Sequence, residues 1–170
     1  VMKKLQVLVV VLLMLVLVGG CSQSGQNEPV TPVAQAVPVD KDAIVYDAVE
    51  GFFKALGTKE GVLGNNLIEA DQLYAELSQD PGAYFVVDIR GADDFKAGHI
   101  EADSIINLPF REVGDNLHLL PKDRTIVVTC YTGQTAGQTI AALRIAGYDA
   151  ISLRNGMVNG WLKNELPVTN

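Results

Sequence analysis

From Leu67 onward, short runs of β-branched and aliphatic residues alternate with stretches of helical spacing, and this alternation leaves few folds open. Residues 83–89, 104–107, 125–129 and 150–153 read as strands, and residues 70–77, 92–96, 136–146 and 157–162 as helices or helical turns. Runs as apolar as Tyr84-Phe85-Val86-Val87 and Ile126-Val127-Val128 suit strands buried on both faces. Parallel strands need crossovers, and the intervening helices supply them. The expected architecture is α/β, a single domain over residues 67–170 with a central parallel sheet flanked by helices.

Two segments precede that domain. In residues 42–66, Ile44, Val45, Ala48, Val49, Phe52, Phe53 and Leu56 recur at helical spacing, and Gly57 is a natural stop. An extra amphipathic helix from Asp42 to Leu56 is therefore expected. Its apolar face needs cover from the domain, a protein partner or a membrane, and packing on the domain is the simplest solution. Residues 21–41 are rich in proline and polar residues and read as a flexible tether. Before them, Lys3 and Lys4 lead into an apolar run of twelve residues, 7–18. A bilayer core needs about 20 residues, so the run reads as the core of an export signal. Val18-Gly19-Gly20-Cys21 resembles the lipobox of bacterial lipoproteins. That resemblance implies removal of residues 1–20 and lipid on Cys21, facing the extracytoplasmic side of a membrane, in the periplasm or at the cell surface. A plain signal peptide and an uncleaved anchor are the alternatives.

The chain carries 13 basic and 20 acidic residues, a net charge of −7. Loss of residues 1–20 removes two basic and no acidic residues, leaving −9. Such a surface repels phosphate backbones, which argues against nucleic acid as a partner and against charge-driven docking on anionic lipid. With only His99 and His118, and no Cys-x-x-Cys or His-x-x-x-His spacing, neither a metal site nor a cofactor is expected. The two cysteines are Cys21 and Cys130. Once Cys21 carries lipid, Cys130 has no intramolecular partner and must be explained as a free thiol.

Cys130-Tyr131-Thr132-Gly133-Gln134-Thr135-Ala136 lies between an expected strand and an expected helix. Ligands of parallel α/β sheets bind where strands end and helices begin. Unsatisfied amides and the helix dipole favour an anion there, and a cysteine in that place has its thiolate stabilised. Gly133 permits positive φ, so successive amides can turn toward the sulfur. A buried cysteine serving as a small apolar side chain is the plainer reading, and the strand-Cys-x-x-Gly-helix context favours the functional one.

Around this loop the chain resembles the rhodanese family over about residues 67–167. The matching elements are Asp88-Ile89-Arg90, Gly98-His99-Ile100, Ile105-Ile106-Asn107-Leu108-Pro109, the loop from Cys130 to Ala136, and Asn155-Gly156-Met157-Val158-Asn159-Gly160-Trp161. The resemblance implies a sulfurtransferase in which Cys130 takes sulfur from a donor, holds it as a persulfide and passes it to a thiophilic acceptor. The donor is thiosulfate, polysulfide or a protein persulfide. The amides from Tyr131, Thr132, Gly133, Gln134, Thr135 and Ala136 would bind the substrate sulfur, while Asp88, Arg90, His99 and Trp161 would hold the fold. His118 reads as a surface residue.

Two departures sharpen the expectation. Ala102-Asp103 stands where many members have Gly-Ala, and the active loop lacks the Lys or Arg that often holds thiosulfate, so weak thiosulfate binding is expected. A cysteine phosphatase or arsenate reductase would need an arginine closing a Cys-x5-Arg loop, and position 136 is Ala. The remaining alternative is a non-catalytic binding or sensing module at the cell envelope.

Overall fold

The strand that leads to Cys130 is apolar on both sides, and each side meets a different layer. Ile126 and Val128 join one buried cluster, and Val127, between them, joins the other. This is the period of two expected of a strand with helices above and below it. The computed structural model describes residues 39–58 and 64–170. The expected signal peptide and most of the tether, Cys21 included, lie outside the described residues.

Five parallel strands form the sheet in the order β1-β5-β4-β2-β3, where β1 is Leu67–Ile68, β2 Phe85–Asp88, β3 Ile105–Asn107, β4 Ile126–Thr129 and β5 Ala150–Leu153. The helices are α1, Lys41–Ala55; α2, Ala70–Gln79; α3, Ala92–Ala97; and α4, Gln134–Ile145. On one face α4 places Ala136, Ile140 and Leu143 over Val87, Ile126 and Val128. On the other, α2 brings Leu73 and Leu77 against Val127 and Ile151, joined by Met157 and Trp161 from the wide helical turn Gly156–Trp161. The α/β expectation holds, including the parallel sheet flanked by helices.

Details of the elements differ from the sequence reading for local reasons. β2, β3 and β4 are shorter than the apolar runs that announce them, because only the paired residues carry the ladder. The strand β1 has two residues and is too short to show a period. Two helical turns, Phe110–Glu112 and Gly114–Leu119, occupy what reads as loop. Helix α4 starts at Gln134, two residues ahead of the expected start, because Gly133 at φ 90° turns the chain straight from the loop into the first turn.

The extra N-terminal helix is present. Asp40 caps it, accepting hydrogen bonds from the amides of Asp42 and Ala43 at 3.1 Å each. It lies against α4 with Ala48, Val49, Phe52 and Ala55 half-buried. Ile44, Val45 and Phe53 stay exposed, so the domain covers only part of the apolar face. Among the described residues no helix is long and apolar enough to cross a membrane.

Candidate active site

Parallel pairing sets Asp88 beside Thr129, so the segments that follow β2 and β4 leave the sheet at the same edge. Cys130 follows Thr129 and is 2% exposed. Its Sγ accepts hydrogen bonds from the amides of Gly133 at 3.1 Å and Ala136 at 3.4 Å. Of the amides expected around the sulfur, those of Gly133 and Ala136 reach it. Gln134 and Thr135 belong to the first turn of α4, where backbone amides find no partner within the helix. Amides and dipole together make the pocket favourable to negative charge at and beyond the sulfur.

A second loop closes the first from behind. The amide of Met157 donates to the Cys130 carbonyl at 2.7 Å, and that of Val158 to the Tyr131 carbonyl at 2.9 Å. Asn155 and Gly156 both have positive φ, at 61° and 62°, which brings this backbone against the Cys130 loop. A Cβ on Gly156 would lie 2.5 Å from the Cys130 carbonyl oxygen and 2.7 Å from the Gly133 nitrogen. The Asn-Gly pair is a turn signal readable in the sequence, but its contact with a loop more than twenty residues earlier is not.

Asp88 and Arg90 form a buried ion pair one strand away. Arg90 Nε donates to both Asp88 carboxylate oxygens at 3.0 Å, and Nη2 to Oδ2 at 2.6 Å. Arg90 Nη2 also donates to the Gly98 carbonyl at 2.8 Å, tying the strand end to the end of α3. Asn107 Nδ2 donates to the carbonyls of Asp88 and Arg90, at 2.9 Å each, and so joins β3 to the same corner. His99 stacks on Phe95, with ring centroids 3.9 Å apart, and exchanges backbone hydrogen bonds with Thr169; its partners lie outside the Cys130 loop. Trp161 is buried, its indole N–H donating to the Pro167 carbonyl at 2.8 Å. His118 is exposed.

Two contacts were not apparent from the sequence. The Tyr131 hydroxyl donates to Asp94 Oδ2 at 2.6 Å and accepts from the Gly91 amide at 3.2 Å, latching the loop to the start of α3. Donation to Asp94 pushes the phenol pKa above its ordinary value. Arg154, at the end of β5, lines a cleft that also touches Thr132, Gly133 and Gln134. Among the described residues no group of three or more His, Cys, Asp or Glu side chains is placed to hold a metal ion.

Comparison with known proteins agrees with this geometry. A sulfurtransferase of Allochromatium vinosum is 30% identical over 104 residues, covering 61% of this chain and 94% of that protein. The probable adenylyltransferase/sulfurtransferase MoeZ of Mycobacterium tuberculosis is 34% identical over 83 residues, 48% of this chain; the match spans only 21% of MoeZ. Among solved structures, a rhodanese-related protein from Thermoplasma volcanium superposes with a TM-score of 0.53 at 27% identity, covering 60% of this chain and 95% of that one. The rhodanese-like domain family matches residues 69–164. With more than half its length matched, and with its cysteine at the strand-to-helix turn, the chain belongs to the rhodanese-like domain family.

Proposed function

We propose that the protein is a sulfurtransferase that carries sulfur as a persulfide on Cys130, between a sulfane-sulfur donor and a thiophilic acceptor. The observation that carries this reading is the contact of Cys130 Sγ with the amides of Gly133 and Ala136 at the mouth of α4. Fixed dipoles there face the attacking sulfur and then the terminal sulfur of a persulfide. The first-turn amides of Gln134 and Thr135, which have no partner within the helix, are the donors this reading assigns to the outer sulfur. Sulfurtransferases among the relatives support the same chemistry. Asp88, Arg90, His99 and Trp161 serve as supports, since their bonds hold strand ends and the closing turn together.

Sulfur transfer from thiosulfate, polysulfide and a persulfidated protein to cyanide tests the reading. The full chain is expected to turn over with at least one of these donors, and Cys130→Ser to fall to the uncatalysed rate. Turnover retained by Cys130→Ser would remove Cys130 as the carrier, and no turnover by the full chain with any of the three donors would leave a binding module. We further propose that the chain acts at the cell envelope, anchored by lipid on Cys21. Membrane fractionation checks this: Cys21→Ala should release the protein, and its firm retention would point to an uncleaved apolar anchor.

A further inference from the structure

A cleft of 460 Å³ opens between the C-terminal half of α2, residues 101–103 and the C-terminal turn. Leu77 and Trp161, both in its lining, belong to the buried cluster across the sheet from the one that holds Cys130. Glu101 and Asp103 precede β3 whereas Cys130 follows β4, so in a parallel sheet they also stand at opposite ends of the strands. The cleft is therefore separate from the proposed sulfur site. Its walls are held by bonds of their own. The Trp161 indole N–H donates to the Pro167 carbonyl at 2.8 Å, the Asp103 amide donates to the Pro81 carbonyl at 3.0 Å, and Tyr74 packs edge-on to Trp161 with ring centroids 6.1 Å apart. The carboxylates of Glu101 and Asp103 and the Tyr74 hydroxyl are left over, exposed and without a partner among the described residues. Asp103 stands where many members of the family have alanine, so the second carboxylate is not a requirement of the fold.

This lining selects a kind of ligand. Leu77, Pro81, Pro167 and the Tyr74 ring offer an apolar wall, with the two unpaired carboxylates beside it. A cation on an apolar stem matches both, the stem lying on the wall while the head meets the carboxylates. A guanidinium does so best, because its planar fork pairs with a carboxylate through two bonds and stacks on a tyrosine ring. We propose that the cleft receives an arginine side chain from an extended segment of a basic protein partner. The net charge of −7 draws such a partner to the chain. Leu162 and Val168, each next in the chain to a lining residue, are 45% and 41% exposed, apolar surface that a protein segment covers and a small amine does not.

The chain has a single tryptophan, so the indole N–H signal of Trp161, in the magnetic resonance spectrum of the isotopically labelled full chain, reports on the cleft directly. N-acetyl-Ala-Arg-Ala amide should shift that signal saturably. The same peptide with citrulline in place of arginine keeps the shape, loses the charge and should leave the signal where it is. Glu101→Gln and Asp103→Asn should each weaken the arginine peptide about threefold, and together about tenfold. Their unfolding midpoints should match wild type, because both side chains are exposed and unpaired. High salt should weaken the arginine peptide as well. Equal shifts from the two peptides, or none from either, overturn the proposal. Spermidine bound as tightly as the arginine peptide also overturns it, by making the cleft a site for small amines.

Discussion

One methyl group at Gly156 would collide with the carbonyl of Cys130 and the amides of Thr132 and Gly133, at 2.5 to 2.8 Å, in a backbone already at φ 62°. Gly156→Ala should therefore destabilise the fold by roughly 1–3 kcal/mol, read by chemical denaturation, and should also slow sulfuration of Cys130 in the protein that remains folded. A variant with wild-type stability and rate would show that the second loop does not shape the first. Tyr131 allows a prediction in pH. Its phenol is held above the ordinary value chiefly because it donates to Asp94. A raised folded value means that the latch contributes fully below about pH 10 and is lost as pH climbs through the folded pKa. Tyr131→Phe should accordingly be less stable than wild type near neutrality, and the gap should close in alkali. At this scale Cys130 and Gly133 were legible from the sequence, because the whole Cys-x-x-Gly turn is local. Arg154, Asn155 and the Asp94 latch were not, because their approach to the loop depends on the order of strands in the sheet.

Elements meet at the corner built by Asp88 and Arg90. β2 supplies the carboxylate, Arg90 binds it and the end of α3, and Asn107 fastens β3 to both backbones. With Asp88 fully buried and Arg90 5% exposed, Arg90→Met leaves a carboxylate without its partner in the interior. The expected cost is about 3–5 kcal/mol, measured by urea denaturation, and the double variant Asp88→Asn, Arg90→Met should lose less than the single one. The alternation of apolar strands and helical stretches was sufficient to read the sheet and its flanking helices. It was insufficient for β1 and for the turns over residues 110–119, where pieces of two to six residues are too short to carry a clear period. Element starts also shifted, as at α4, where the conformation of Gly133 rather than the apolar pattern sets the first turn.

The molecule as a whole is unevenly secured. Trp161 sits in the cluster that unites α2, the sheet and the C-terminal turn, whereas α1 has no fully buried residue. Trp161→Ala should cost about 3–5 kcal/mol in thermal or chemical unfolding, and Phe52→Ala less than half as much. The amphipathic pattern of α1 was readable from the sequence, but how much of it the domain would cover was not, since periodicity reports a face and not what lies against it. All of these supports converge on one sulfur atom at the end of β4, in a loop without a charged side chain of its own. The most direct test is the mass of the Cys130 peptide after the full chain is treated with thiosulfate, polysulfide or a persulfidated protein and then with cyanide. The account predicts a gain of one sulfur atom, discharged by cyanide and absent from Cys130→Ser. A wild-type thiol that gains no sulfur from any of the three donors would contradict it.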